Sequence, residues 1–183
     1  AGKKLVQQID NLKHNQLNTI VYNFVDTLSH ARTDMEVIKE LAEDESAYRS
    51  ITRSWFKHSP LFDVLKKISA TSSKVFLTTD HGTIRVKTPT KVIGPKSTNT
   101  NMRYKVSKNL TYKSKDVIEA QHPEKIMLPK THLSSSFIFA REDKYFVYPN
   151  NYNHFAKLYN DTFQHGGISM EEMLIPYVQL KGK

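Results

Sequence analysis

Apolar positions in the first 70 residues recur three and four apart, and after that they gather into short runs of β-forming residues. Lys3 to Leu17 is polar with scattered leucines and reads as a helix. Asn18 to Val25 is rich in β-formers and predicts a strand ending at Asp26. Three helices follow. Met35, Ile38, Leu41 and Ala42 mark one apolar face, and Ala47, Ile51 and Trp55 a second. Ser59-Pro60, an N-cap with proline at the first helical position, opens a third helix with Leu61, Val64, Leu65 and Ile68 facing inward. Val75-Phe76-Leu77 then reads as a buried strand, closed by Asp80-His81-Gly82. Strand, helices, strand is the order of a parallel pair with a right-handed crossover. That arrangement would bring Asp26 and Asp80 to the same edge of one sheet.

Residues 83–133 have a different texture. Thr83 to Val86 and Lys91 to Ile93 are strand fragments, Thr88-Pro89-Thr90, Gly94-Pro95 and Ser97 to Asn101 are turn or loop signals, and Asp116 to Ala120 suggests a short helix. The segment reads as an excursion or lid within one domain spanning residues 1–183. Phe137 to Ala140 and Lys144 to Tyr148, joined by Arg141-Glu142-Asp143, have the signature of a hairpin. Tyr152, Phe155, Leu158 and Tyr159 share a helical face. His165-Gly166-Gly167 is a tight loop, Ser169 and Glu172 form a capping box, and Leu174 to Leu180 is a last strand with Pro176 near its start.

Composition narrows the chemistry. There are no cysteines, which excludes disulfides and thiolate metal sites and suits a cytoplasmic protein. No apolar run approaches the ~20 residues needed to span a bilayer. The net charge of +9 is concentrated: Arg85 to Lys130 carries +8. A local positive field suits a phosphate-bearing or polyanionic ligand, although solvated lysines give the same count. Within that segment, Arg103-Tyr104 is a candidate substrate-binding pair: the guanidinium offers a bidentate fork for phosphate, and the ring a stacking face. A surface arginine beside a half-buried tyrosine reads the same way.

Asp80 and His81, at a strand end, are suitable ligands for a divalent ion, and Gly82 lets the backbone turn away. Asp-His-Gly is also an ordinary turn. Asp26-x-x-x-His30 places an acid and an imidazole on one face if the backbone there is helical. The alternative is a capping acid and a surface histidine. With His165, these make five nitrogen and carboxylate ligands without sulfur, a set that suits zinc, with manganese as the alternative.

In this order the motifs resemble the alkaline phosphatase superfamily, specifically its PglZ branch. The tail from Phe163 to Pro176 is similar to the PglZ output domain of PorX-type response regulators of the type IX secretion system. The resemblance runs from about Asn18 to Leu180 and implies a three-layer α/β/α fold with a mainly parallel sheet. It implies two divalent metals, with Asp26, His30 and His165 at one and Asp80 and His81 at the other. It implies a phosphodiesterase or phosphatase acting on a nucleotide or oligonucleotide ester, within a two-component system and with a signalling partner. The superfamily's Thr or Ser nucleophile and a further Asp lie upstream of Asp-x-x-x-His. Here 25 residues precede Asp26, with Asp10 their one acid, so the nucleophile is expected upstream of Ala1. The chain is therefore expected to be the C-terminal part of a longer domain, or else a binding or signalling module without turnover. A sheet edge exposed in such a piece predicts a homodimer.

Overall fold

A computed structural model describes residues 2–130 and 134–182. Ala1, next to the expected position of the nucleophile, lies outside the described residues, as do Lys183 and residues 131–133 at the end of the expected excursion. In chain order the elements are α1 (Gly2–Gln8), a 3-10 turn (Ile9–His14), α2 (Phe24–Asp34), α3 (Glu36–Leu41), α4 (Glu45–His58), α5 (Pro60–Ser69) and β1 (Lys74–Thr78). Next come β2 (Ile84–Val86), β3 (Thr88–Lys91), β4 (Tyr104–Ser107), β5 (Val117–Ala120), β6 (Ser136–Ala140), β7 (Lys144–Val147), α6 (Tyr152–Tyr159), β8 (Thr162–Gln164), α7 (Met170–Met173) and β9 (Tyr177–Lys181). The chain divides into two compact units: residues 1–78 with 176–183, and residues 79–175.

The first unit is helical, with one two-stranded ladder. Local chemistry sets its helix starts: the Asp44 carboxylate accepts the Ala47 N–H at 2.7 Å to open α4, and the Ser59 hydroxyl accepts the Phe62 N–H at 3.3 Å to open α5 at Pro60. The strand expected over Asn18 to Val25 is not formed. Residues 18–23 have no ladder partner among the described residues, and the helix begins at Phe24. The β-forming aromatics there pack instead of pairing. Phe24 stacks on Trp55 with centroids 4.2 Å apart, and Tyr22 meets the same indole edge-on.

The expected parallel crossover is also replaced. β1 pairs antiparallel with β9, with Lys74 opposite Lys181 and Thr78 opposite Tyr177. Nor is β1 a buried strand. Val75 and Leu77 turn inward and, with Val178 and Leu180, line an apolar cleft shared with Phe56, Phe62 and Leu65. Phe76 points the other way, 51% exposed and stacked on Tyr177. A short apolar run on a two-stranded ladder has only one face to bury, and the period of two sends the middle residue to solvent.

In the second unit, β2 pairs antiparallel with β8, β3 runs parallel to β7, and β6 lies between β4 and β5, antiparallel to both. The basic segment thus supplies β2 to β5, and Val86, Val92 and Val117 enter the core from it. Val117 to Ala120 is a strand rather than a helix: Val117 packs with Val92, Ile138, Ala140 and Phe146. The hairpin expectation had both strands but not their pairing. The Asp143 carbonyl accepts the Lys87 and Thr88 N–H groups, which leads β7 alongside β3. Tyr145 and Val147 then join Val86 in one cluster while Phe146 joins the other, so β7 is buried on both faces. The ladders are small and mostly antiparallel, unlike the single, mainly parallel sheet expected. No helix among the described residues is long and apolar enough to cross a membrane.

Candidate metal centre

In the first unit, Asp26 and His30 lie one turn apart on α2, with His30 Nε2 3.6 Å from Asp26 Oδ1. The strand that was to carry Asp26 is helix, and the i, i+4 relation follows directly from that helix. The rest of α2 is anchored by buried polar groups. Arg32, 1% exposed, donates from Nε to the Ala42 carbonyl at 2.6 Å and from Nη2 to the Glu43 carbonyl at 3.0 Å. Ser29 Oγ lies 2.7 Å from Tyr48 Oη, which donates to the Val25 carbonyl. Burial raises the Tyr48 phenol above its ordinary pKa, against the Ser29 hydrogen bond, so it remains a donor. With these side chains packed inward, the Asp26–His30 face is left exposed.

In the second unit, Asp80-His81-Gly82 follows β1 after one intervening residue. The Asp80 side chain is 88% exposed; the hydrogen bond from its own backbone N–H and, second, the adjacent His81 hold its carboxyl below the usual range. His81 Nδ1 lies 2.9 Å from the Gly82 carbonyl. A carbonyl only accepts, so in the neutral ring Nδ1 carries the proton and Nε2 the lone pair. That Nε2 is 3.8 Å from Asp80 Oδ1. The His81 ring stacks on His165, with centroids 3.8 Å apart and planes within 9°.

Two glycines shape this geometry, Gly82 by a close backbone approach and Gly166 by a left-handed φ. The Gly82 N–H donates to the Glu172 carbonyl at 2.9 Å, and a Cβ at Gly82 would sit 2.0 Å from the Glu171 carbonyl oxygen. Gly166 takes φ +100°, the left-handed region that favours glycine, so the chain can reverse straight after His165. Asn101 Nδ2 donates to the His165 carbonyl at 3.2 Å, while Asn101 Oδ1 accepts the Arg103 and Tyr104 N–H groups.

Arg103, expected to face a phosphate, turns inward instead. Its side chain is fully buried, with Nε and Nη2 each 2.9 Å from the two oxygens of Glu172 and Nη1 donating to the Lys144 carbonyl. Tyr104 is half-buried, its ring 6.2 Å from Phe137 and 6.5 Å from Phe139. Glu172 also accepts the Gly167 N–H at 2.9 Å and the Ser169 N–H at 3.2 Å. Burial pushes its carboxyl up, but the hydrogen bonds and charge of Arg103, then the Gly167 N–H, outweigh that and hold it below the carboxylate range. Sequence reasoning missed Glu172 and Asn101. The one signal was the capping-box spacing, which named Glu172 as a local cap and gave no hint of Arg103.

A family profile described as the BREX system PglZ alkaline phosphatase-like domain matches residues 1–180. The chain belongs to the PglZ family. No curated protein matches it. A PglZ domain falls in a phosphoesterase-type superfamily, which points to hydrolase chemistry on a phosphate ester with divalent metals. The residues present fit such an ion. Two ligands each ~2.0–2.1 Å from zinc lie about 3.3 Å apart in tetrahedral geometry and about 4.2 Å when opposite. The Asp26–His30 and Asp80–His81 spacings, 3.6 and 3.8 Å, fall between those limits. The donated Nδ1 proton of His81 leaves Nε2 ready to coordinate, as a carbonyl partner does for histidine ligands in general.

Proposed function

We propose that this PglZ domain belongs to a two-zinc phosphodiesterase or phosphatase acting on nucleotide or oligonucleotide esters, as the output domain of a response regulator. Asp26, His30 and His165 would hold one ion, and Asp80 and His81 the other. The observation that carries the reading is the His81–His165 pair beside Asp80, in a chain matched to the family over nearly its whole length. The resemblance of residues 163–176 supports the response-regulator context.

When bound, paired divalent ions stabilise the attacking and leaving oxygens of an in-line displacement at phosphorus. The chain's own groups supply orientation and charge. Asp80 stays ionised, its carboxyl held low. The Gly82 carbonyl fixes the His81 tautomer. The Lys-rich surface of the second unit draws an anionic ester by its field. No residue of this chain is assigned as the nucleophile; in this reading a Thr or Ser upstream of Ala1 supplies it.

Calorimetric titration of the purified chain with Zn²⁺ tests the ligand sets. Two equivalents are expected for the wild type and one each for His165→Ala and Asp80→Ala. A chain that binds neither zinc nor manganese overturns the reading. Binding without zinc-dependent hydrolysis of bis(p-nitrophenyl) phosphate, in a protein that carries the upstream nucleophile, favours instead a signalling module without turnover.

A further inference from the structure

The segments that carry His81 and His165 are both held by one buried residue, Glu172, which is paired with Arg103. The Glu172 carboxylate gathers four donors: Arg103 Nε and Nη2, the Gly167 N–H and the Ser169 N–H. Through Gly167 it fixes the loop that carries His165. The backbone carbonyl of Glu172 accepts the Gly82 N–H, which fixes the turn that carries His81. Asn101 closes the frame from the other side: its amide holds the His165 carbonyl, and its oxygen holds the backbone at Arg103. A Cβ at Gly167 would lie 2.5 Å from Glu172 Oε2, so any side chain there would have to displace that carboxylate. Arg103 is 0% exposed and Glu172 3% exposed, so neither can meet a substrate, and burying the pair carries a desolvation cost that surface residues would avoid.

We propose that Arg103, Glu172 and Asn101 are positioning residues that set the His81–His165 stack, and through it the geometry of the metal ligands. The inference rests on the reading of His81 and His165 as ligands, but its test has a part that needs no metal. A planar, always-charged guanidinium suits this task because it meets both carboxylate oxygens at fixed angles; lysine would offer a single point. The carboxylate in turn has oxygens enough to keep both loop N–H groups while paired. In Glu172→Gln one oxygen becomes an amide donor, which faces Arg103 or a loop N–H with like polarity.

The experiment compares Glu172→Gln, Gly167→Ala and Glu171→Gln with the wild-type chain. Gly167→Ala removes no polar group and displaces the Glu172 carboxylate by bulk alone. Glu171→Gln changes the exposed neighbouring acid and serves as the control. In metal-free protein, the ring-proton chemical shifts of His81 and His165 report the stack, because each ring lies in the other's ring current. The upfield displacement is expected to be lost in Glu172→Gln and Gly167→Ala and kept in Glu171→Gln. Zn²⁺ affinity is expected to fall about 10- to 100-fold in the first two. Wild-type ring shifts in a folded Glu172→Gln or Gly167→Ala chain overturn the proposal. Should Glu172→Gln fail to fold, Gly167→Ala decides. Should the wild type bind no zinc, the metal reading falls, while the ring shifts still decide the frame.

Discussion

At the scale of single residues, burial and partner choice decide what each charged group does. Arg103 and Lys105 stand two apart in the most basic stretch of the chain, and both are buried. Arg103 is matched by a carboxylate. Lys105 is not: Nζ donates to the Asn99 carbonyl at 2.8 Å and sits 4.4 Å over the Tyr148 ring, and burial pushes the amine down to about 8. The sign follows from linkage. A lysine whose folded pKa lies below its unfolded value of about 10.4 sheds its proton first in the folded state, so stability rises with pH between those values. Denaturant unfolding of wild type and Lys105→Met at pH 7.5 and pH 10 checks this. The wild type should gain on the variant by roughly 1.4 kcal/mol for each unit separating the two pKa values. A constant difference between the two proteins at both pH values would refute it.

Secondary elements divide into those written locally and those settled by distant partners. α4 is legible from its apolar face, and α5 because its cap, Ser59, lies three residues from the N–H it satisfies. Ser59→Ala should therefore cost about 1 kcal/mol, seen as a lower urea midpoint with an unchanged m value. An unchanged midpoint would mean that Pro60 and the α4–α5 packing suffice. Strand positions over 74–78, 84–86, 136–140 and 144–147 were also readable, from runs of β-forming residues. Their pairings were not. A run such as Phe137 to Ala140 can serve any ladder, and whether it meets β7 or lies between β4 and β5 depends on residues far away. Val117 to Ala120 shows the reverse case, a segment with a helical look whose ladder to β6 overrides local preference. The β-rich residues 18–23 lack a ladder among the described residues, and there Tyr22 and Phe24 turn to Trp55.

Across the whole molecule, most of the charge of the basic segment stays at the surface even though its backbone builds strands. The local +8 lies in the segment that builds β2 to β5, yet Lys87, Lys91, Lys96, Lys108, Lys113 and Lys115 all remain exposed. If this surface receives a polyanion, retention of a single-stranded oligonucleotide should fall steeply between 50 and 200 mM salt, as counterion release requires. Binding that ignores salt would locate recognition elsewhere.

The sequence by itself determined the i, i+4 spacing of Asp26 and His30, the glycine turns beside His81 and His165, and the caps at Ser59 and Ser169. Each depends on residues within a few positions of one another, where backbone dihedrals and side-chain reach settle the outcome. Only the tertiary structure decided that Arg103 faces Glu172 rather than a phosphate. That contact joins residues 69 apart, and nothing local distinguishes an arginine that will be buried from one that will not. It likewise decided that β1 meets β9 in antiparallel register, because ladder partners are chosen by which faces find a core.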